Sequence, residues 1–385
     1  MQARRFSIRI PDAEIEDLRR RLGSTRAAPV MRGTGWSEGI DSDYLSSLVD
    51  YWKDSFDWRA QEAKLNEVPH YLADVGGQAI HFIHEKGRGP RPFPLIVTHG
   101  WPGSFAEMGE LVQLLTHPQR YGGVAEDAFD VVVPSLPGFA FSPAPESPGT
   151  GPFEVATLWA GLMQQLGYPR YGVQGGDWGA SVSTWLAFLQ PSCVAGIHLN
   201  FIPGSFRPPL GEGAAPLSEE EAAFLERAAQ WAEQEGAYAM IQGTKPQTLA
   251  TALNDSPAGL AAWIAEKFHA WSDTSAHGAR AISMDALLTN ISLYWFTECA
   301  ASSFRMYVEN RRRPVHFLPG QRVLPPLGVA HFPAEIPLPP RSWVERVFTV
   351  NRWTRMPGGG HFAAMERPAE LAGEIRAFFR PLRAQ

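Results

Sequence analysis

Residues 171–189 read YGVQGGDWGASVSTWLAFL. A short apolar run ends in Gly175-Gly176, Asp177 follows, Gly179 comes two positions later, and an apolar helical stretch begins. Small-x-nucleophile-x-Gly between a strand and a helix is the nucleophile-elbow pattern. Its glycines permit a tight, strained turn and the close passage of strand and helix. The usual serine at the apex is replaced here by aspartate. Aspartate is also a good helix N-cap, so this residue taken alone supports either reading. The pieces around it decide between them.

The elbow is one of a series. FPLIVTHG and FDVVVPSLPG are further short apolar runs of the kind that buried parallel strands show, and helical stretches at 105–115 and 155–166 lie between them. Strand, helix, strand, helix implies a parallel sheet. Ahead of the series, HYLADV and QAIHFIHEK read as two strands joined at Gly76-Gly77, a hairpin turn. Residues 10–27 carry Ile15, Leu18 and Leu22 at helical spacing, and residues 43–66 read the same way through Leu48, Tyr51, Trp52 and Phe56. Residues 205–310 are mostly helical and interrupt the strands, which resume at PLGVAHFP and VFTVNRWTRMP. The expected architecture is an α/β-hydrolase fold: a mostly parallel sheet with helices on both faces, a helical cap insertion and a helical N-terminal extension. The expected divisions are a helical segment over 1–69, the first part of the core over 70–203, the cap over 204–312 and the second part of the core over 313–385. Such a cap lies above the carboxyl ends of the strands, where open α/β sheets bind ligands.

That placement selects further candidates. His99-Gly100-Trp101-Pro102-Gly103 follows a strand. In this fold the loop there donates one backbone N–H to an oxyanion, and the residue after the nucleophile donates another. The candidates are the N–H groups of Trp101 and Trp178, although Pro102-Gly103 by itself is also an ordinary turn. Gly358-Gly359-Gly360-His361 follows the last expected strand and precedes the closing helix, the place of a general base; a lone surface histidine is the plain alternative. Glu335, just past a strand end, is the candidate to orient the imidazole. Asp285, Glu298 and Glu309 compete for that role but fall within the expected cap.

Composition narrows the class of function. Charged residues make up 19% of the 385 residues, and the net charge is −6. Arg19-Arg20-Arg21 and Arg311-Arg312-Arg313 are short clusters that read as solvated helix ends, and no basic stripe suits nucleic acid. The two cysteines, Cys193 and Cys299, lack metal-type spacing and fit a reducing cytoplasm. No signal-peptide pattern and no run of about 18 apolar residues occurs, so a cytoplasmic protein without membrane attachment is expected.

FSIRIPDAEIEDLRRRL, YWKDSFDWR, HGWPGS, PSLPGFAFS, GGDWG, TKPQTLATALNDSPAGLAAWIAEKF, LYWFTE, FRMYVEN and GGGHFAAMERP together resemble the microsomal-type epoxide hydrolases over nearly the whole chain. The opening segment is similar to that family's own N-terminal domain. The resemblance implies two ring-opening tyrosines in the cap, by position Tyr238 and Tyr307; without it both read as aromatic core residues. It also implies a cis peptide at Trp101-Pro102. The implied activity is conversion of a small apolar epoxide to a vicinal diol, with Asp177 as nucleophile, His361 as base, and neither metal nor organic cofactor.

Two other readings compete. A haloalkane dehalogenase on the same fold also uses an aspartate nucleophile, and an indole N–H such as that of Trp178 can hold a halide. A non-catalytic binding member of the fold would usually lack a nucleophile, base or oxyanion residue, and here each expected position is filled. A homodimer is an admissible assembly.

Overall fold

The computed structural model of the protein describes residues 3–31, 33–211, 213–275 and 282–383. Its strands are β1 (Arg4–Phe6), β2 (His70–Val75), β3 (Gln78–Glu85), β4 (Phe93–Thr98), β5 (Phe129–Pro134), β6 (Tyr171–Gly175), β7 (Val194–Leu199), β8 (Val323–His331) and β9 (Phe348–Arg355). They form one sheet of order β1-β2-β3-β5-β4-β6-β7-β8-β9. From β5 to β9 all neighbours are parallel, and β1, β2 and β3 add an antiparallel edge. Every residue of β5, β6 and β7 is buried, which is why those strands carry apolar runs instead of alternation. The β2–β3 hairpin turns at Gly76 and Gly77, both with positive φ, as a two-residue primed turn requires.

Two strands escaped the sequence reading. In β7, VAGIHL, a glycine and a histidine interrupt the apolar run; a Cβ at Gly196 would lie 2.6 Å from the Leu382 side chain, so the residue there must be small. In β1, RRF, two arginines mask a strand of three residues that pairs with β2 at the sheet edge.

Helices α1 (Asp12–Gly23), α2 (Ser42–Asp54) and α3 (Trp58–Leu65) form the N-terminal segment. The helical pattern over 43–66 is broken between α2 and α3, where Asp57 caps α3 by accepting from the Ala60 N–H at 3.1 Å. The core helices are α4 (Gly109–Thr116), α5 (Pro152–Gln165) and α6 (Asp177–Leu189). The insertion between β7 and β8 contributes α7 (Glu219–Glu235), α8 (Ala237–Thr244), α9 (Pro246–Asp255), α10 (Pro257–Trp271), α11 (Met284–Phe296) and α12 (Ala300–Arg312). The chain closes with α13 (Arg341–Glu345), α14 (Ala363–Glu366) and α15 (Pro368–Phe379). α5 packs on α6, and α15 packs on α4, so helices flank the sheet.

The insertion leaves and re-enters at one point: Arg207 N–H donates to the Val315 carbonyl at 2.9 Å and Phe317 N–H to the Arg207 carbonyl at 3.1 Å. It is fixed to the core by buried polar bonds, Asn290 Nδ2 to the Pro102 carbonyl at 2.7 Å and the Tyr294 hydroxyl to the Gly103 carbonyl at 2.8 Å. The N-terminal segment clasps it in turn, through the Trp52 indole and Ser292 Oγ at 3.0 Å. No described helix is long and apolar enough to cross a membrane.

Candidate active site

β6 ends at Gly175 and α6 begins two residues later, so Asp177 sits at the apex of a turn with φ of +47°, a left-handed conformation that costs a non-glycine residue energy. The neighbouring glycines make room for it. A Cβ at Gly179 would lie 1.9 Å from the Thr98 carbonyl oxygen, one at Gly175 would lie 2.3 Å from the Gly179 backbone, and one at Gly100 would meet the Asp177 side chain at 2.2 Å. The first two collisions are with backbone, which cannot rotate away. Gly179→Ala is therefore expected to lower unfolding free energy by about 3 kcal/mol, at the upper end of overpacking costs. A urea midpoint unchanged from the parent would contradict that.

The carboxylate of Asp177 is held from two sides. The Trp101 N–H donates to Oδ1 at 2.8 Å, from a loop in which Trp101-Pro102 is cis. On the other side His361 Nε2 lies 3.5 Å from Oδ2. His361 Nδ1 lies 2.6 Å from Glu335 Oε1. An ionised carboxylate only accepts, so Nδ1 carries the proton. Glu335 also accepts from the Ile336 N–H at 2.9 Å, which fixes its rotamer. Burial disfavours a charged imidazole here, but the carboxylates of Glu335 and Asp177 outweigh it and hold His361 well above the usual histidine range. Trp178 N–H, in the first turn of α6, belongs to the helix amides that lack an intrahelical acceptor.

Tyr238 on α8 and Tyr307 on α12 are both buried and meet over the Trp101 ring. Tyr238 stacks on Trp101 at 5.3 Å between centroids, and Tyr307 stands edge-on to Trp101 at 5.8 Å and to Trp178 at 4.7 Å. The two phenol rings are 5.8 Å apart at 83°. Burial first, with the nearby Asp177 charge adding to it, pushes both phenols upward, so both keep their protons. The structure thus brings Asp177, His361, Glu335, Trp101, Trp178, Tyr238 and Tyr307 to one region between core and cap.

Comparison with known proteins gives the same direction. Residues 3–108 match the family model described as epoxide hydrolase N terminus, and residues 94–238 match that of the alpha/beta hydrolase fold. A Stigmatella aurantiaca protein assigned as an epoxide hydrolase is 46% identical over 381 residues, covering 99% of this chain and 85% of that one. The chain belongs to the epoxide hydrolase family. Epoxide hydrolase 1 of Oryctolagus cuniculus is 38% identical over 402 residues, covering 97% of this chain and 88% of that protein. The solved structure of Aspergillus niger epoxide hydrolase matches with a TM-score of 0.85 at 31% identity, covering 99% of this chain and 97% of that one.

In this member of the epoxide hydrolase family the rival acids are engaged elsewhere. Asp285 accepts from the Tyr51 hydroxyl at 2.8 Å, Glu309 pairs with Arg305 and Arg312, and Glu298 sits with positive φ in the turn between α11 and α12. Two residues that sequence reasoning missed brace the histidine loop. Asp273 Oδ2 accepts from Gly359 N–H at 2.8 Å. Glu366 accepts from Gly360 N–H at 3.0 Å, Phe362 N–H at 3.0 Å and Asp273 N–H at 2.7 Å. His361 N–H itself donates to the Trp271 carbonyl at 2.9 Å, so the end of cap helix α10 fixes the histidine loop of this epoxide hydrolase.

Proposed function

We propose that this chain hydrolyses an epoxide to a vicinal diol through a covalent ester on Asp177. The observation that carries the reading is the meeting of two protonated phenols, Tyr238 and Tyr307, over Trp101, whose N–H holds the Asp177 carboxylate. Oδ2 of Asp177, the oxygen not held by Trp101, attacks an epoxide carbon, and the ring C–O bond breaks toward the phenols. The developing alkoxide takes a proton from a phenol, and the protonated imidazole of His361 restores the phenol. The ester is neutral. His361 then faces one carboxylate instead of two and becomes a competent base, still oriented by Glu335. It takes a proton from water, which attacks the Asp177 carbonyl carbon. The oxyanion is met by the N–H groups of Trp101 and Trp178. Collapse passes the remaining proton to the leaving alkoxide. Diol departs, and carboxylate and imidazolium are regenerated, so each cycle consumes one water and returns every proton.

The dehalogenase reading keeps one supporting observation. The indole Nε1 of Trp178 is buried without a hydrogen-bond partner among the described residues. A panel of aryl, alkyl and fused-ring epoxides beside haloalkanes and nitrophenyl esters separates the two. Diol formation without halide release is the expected result; halide release without diol would overturn the proposal.

A further inference from the structure

Beside Asp177 lies a chamber of about 20 Å³, lined by Asp177, His361, Gly100, Gly103 and Glu107 among others, and by no residue of the cap helices. A cavity needs about 10–15 Å³ to admit a water molecule, so this one has room for a single water beside the ester carbon and the imidazole. Glu107 is the carboxylic acid in its wall that the reaction described above leaves unused. It stands on the short helical turn Phe105–Met108, directly after the oxyanion loop, and its side chain folds back over that loop. A Cβ at Gly103 would lie 1.7 Å from Glu107 Oε1, so the glycine at 103 leaves space that this carboxyl occupies.

We propose that Glu107 is a positioning residue for the hydrolytic water, holding it in the chamber against His361 and the Asp177 carbonyl carbon. The inference rests on the covalent reading. A water that must lose a proton to His361 while aiming a lone pair at carbon needs a second partner to fix its rotation, and Glu107, in the same wall as His361 and Asp177, is the carboxylic acid that can supply one. Enclosure pushes its carboxyl up to about 8, with the nearby His361 charge opposing the rise and the Asp177 charge adding to it. At neutral pH it is therefore a neutral acid that can both donate and accept, and it adds no third negative charge around the imidazole. Supply is also accounted for. Each turnover consumes the one water that the chamber holds, and a second cavity of about 640 Å³, walled in part by Leu65, Phe105 and Thr289, shares Glu107 and Ala364 with it. Glu107 thus stands on the wall between the water in use and the volume that replaces it.

Glu107→Leu and Glu107→Gln test the assignment in single turnovers with a fast epoxide, reading ester formation and ester breakdown separately by quenched intact mass. Both variants are expected to form the ester at the parent rate. Breakdown should slow about tenfold or more in Glu107→Leu, the effect of one lost hydrogen bond, and stay within about threefold of the parent in Glu107→Gln, which can still donate and accept. Breakdown at the parent rate in Glu107→Leu, or equal slowing of formation and breakdown in both variants, would overturn the inference alone. Absence of any ester in the parent protein would overturn the covalent reading, and this inference with it.

Discussion

His361→Gln is expected to react once with an epoxide and then stop. A carboxylate nucleophile has no proton to lose before it attacks, so the first step needs no base. The step that needs His361 is the second, in which water must lose a proton beside the ester. Steady-state turnover should fall by about 10²–10⁴-fold, the usual contribution of a general base, while intact mass shows one substrate added per chain and peptide mapping finds it at Asp177. Asp177→Ala should show no adduct. If His361 instead activated water to attack the epoxide directly, its loss would prevent any covalent species, and an adduct-free His361→Gln would count for that route.

The second large effect belongs to the phenols. Tyr238→Phe and Tyr307→Phe keep the rings that pack on Trp101 and on each other, so the cap should remain in place. Each single variant retains one donor for the alkoxide and should keep residual activity. The double variant leaves the opening ring oxygen with no acid, and kcat/KM should fall by about 10²–10⁴-fold. Hydrolysis of a preformed Asp177 ester should be little changed, since the chamber beside Asp177 and His361 is lined by neither tyrosine. Full epoxide activity in the double variant would overturn the assignment of the two phenols as the ring-opening acids.

What the sequence made legible follows from geometry that only certain residues allow. The elbow could be read because Gly175 and Gly179 lie where a Cβ would strike backbone, and no other residue substitutes there without a shift. The hairpin at Gly76-Gly77 could be read for the related reason that both positions take positive φ. Asp177, His361 and Glu335 were found as candidates because each follows a strand end, where this architecture exposes side chains. Tyr238 and Tyr307 were not legible from spacing. A tyrosine on a helix buries its ring whether or not its hydroxyl does chemistry, so only the family resemblance singled them out. Asp273 and Glu366 were missed because they work by accepting from the amides of Gly359, Gly360 and Phe362, a task any nearby carboxylate can do at no fixed spacing. Glu107 was missed for another reason. It lies next to the HGWPGS motif, but its meaning comes from a cavity that is formed only when the elbow and the histidine loop are brought together.

On the covalent route the oxygen delivered to the epoxide carbon comes from Asp177. This is tested most directly by a single turnover in oxygen-18 water with enzyme in excess over epoxide. The diol formed is expected to be unlabelled, with one oxygen-18 in the carboxylate of Asp177, located by mass spectrometry of its peptide. Labelled diol with an unlabelled Asp177 would contradict it.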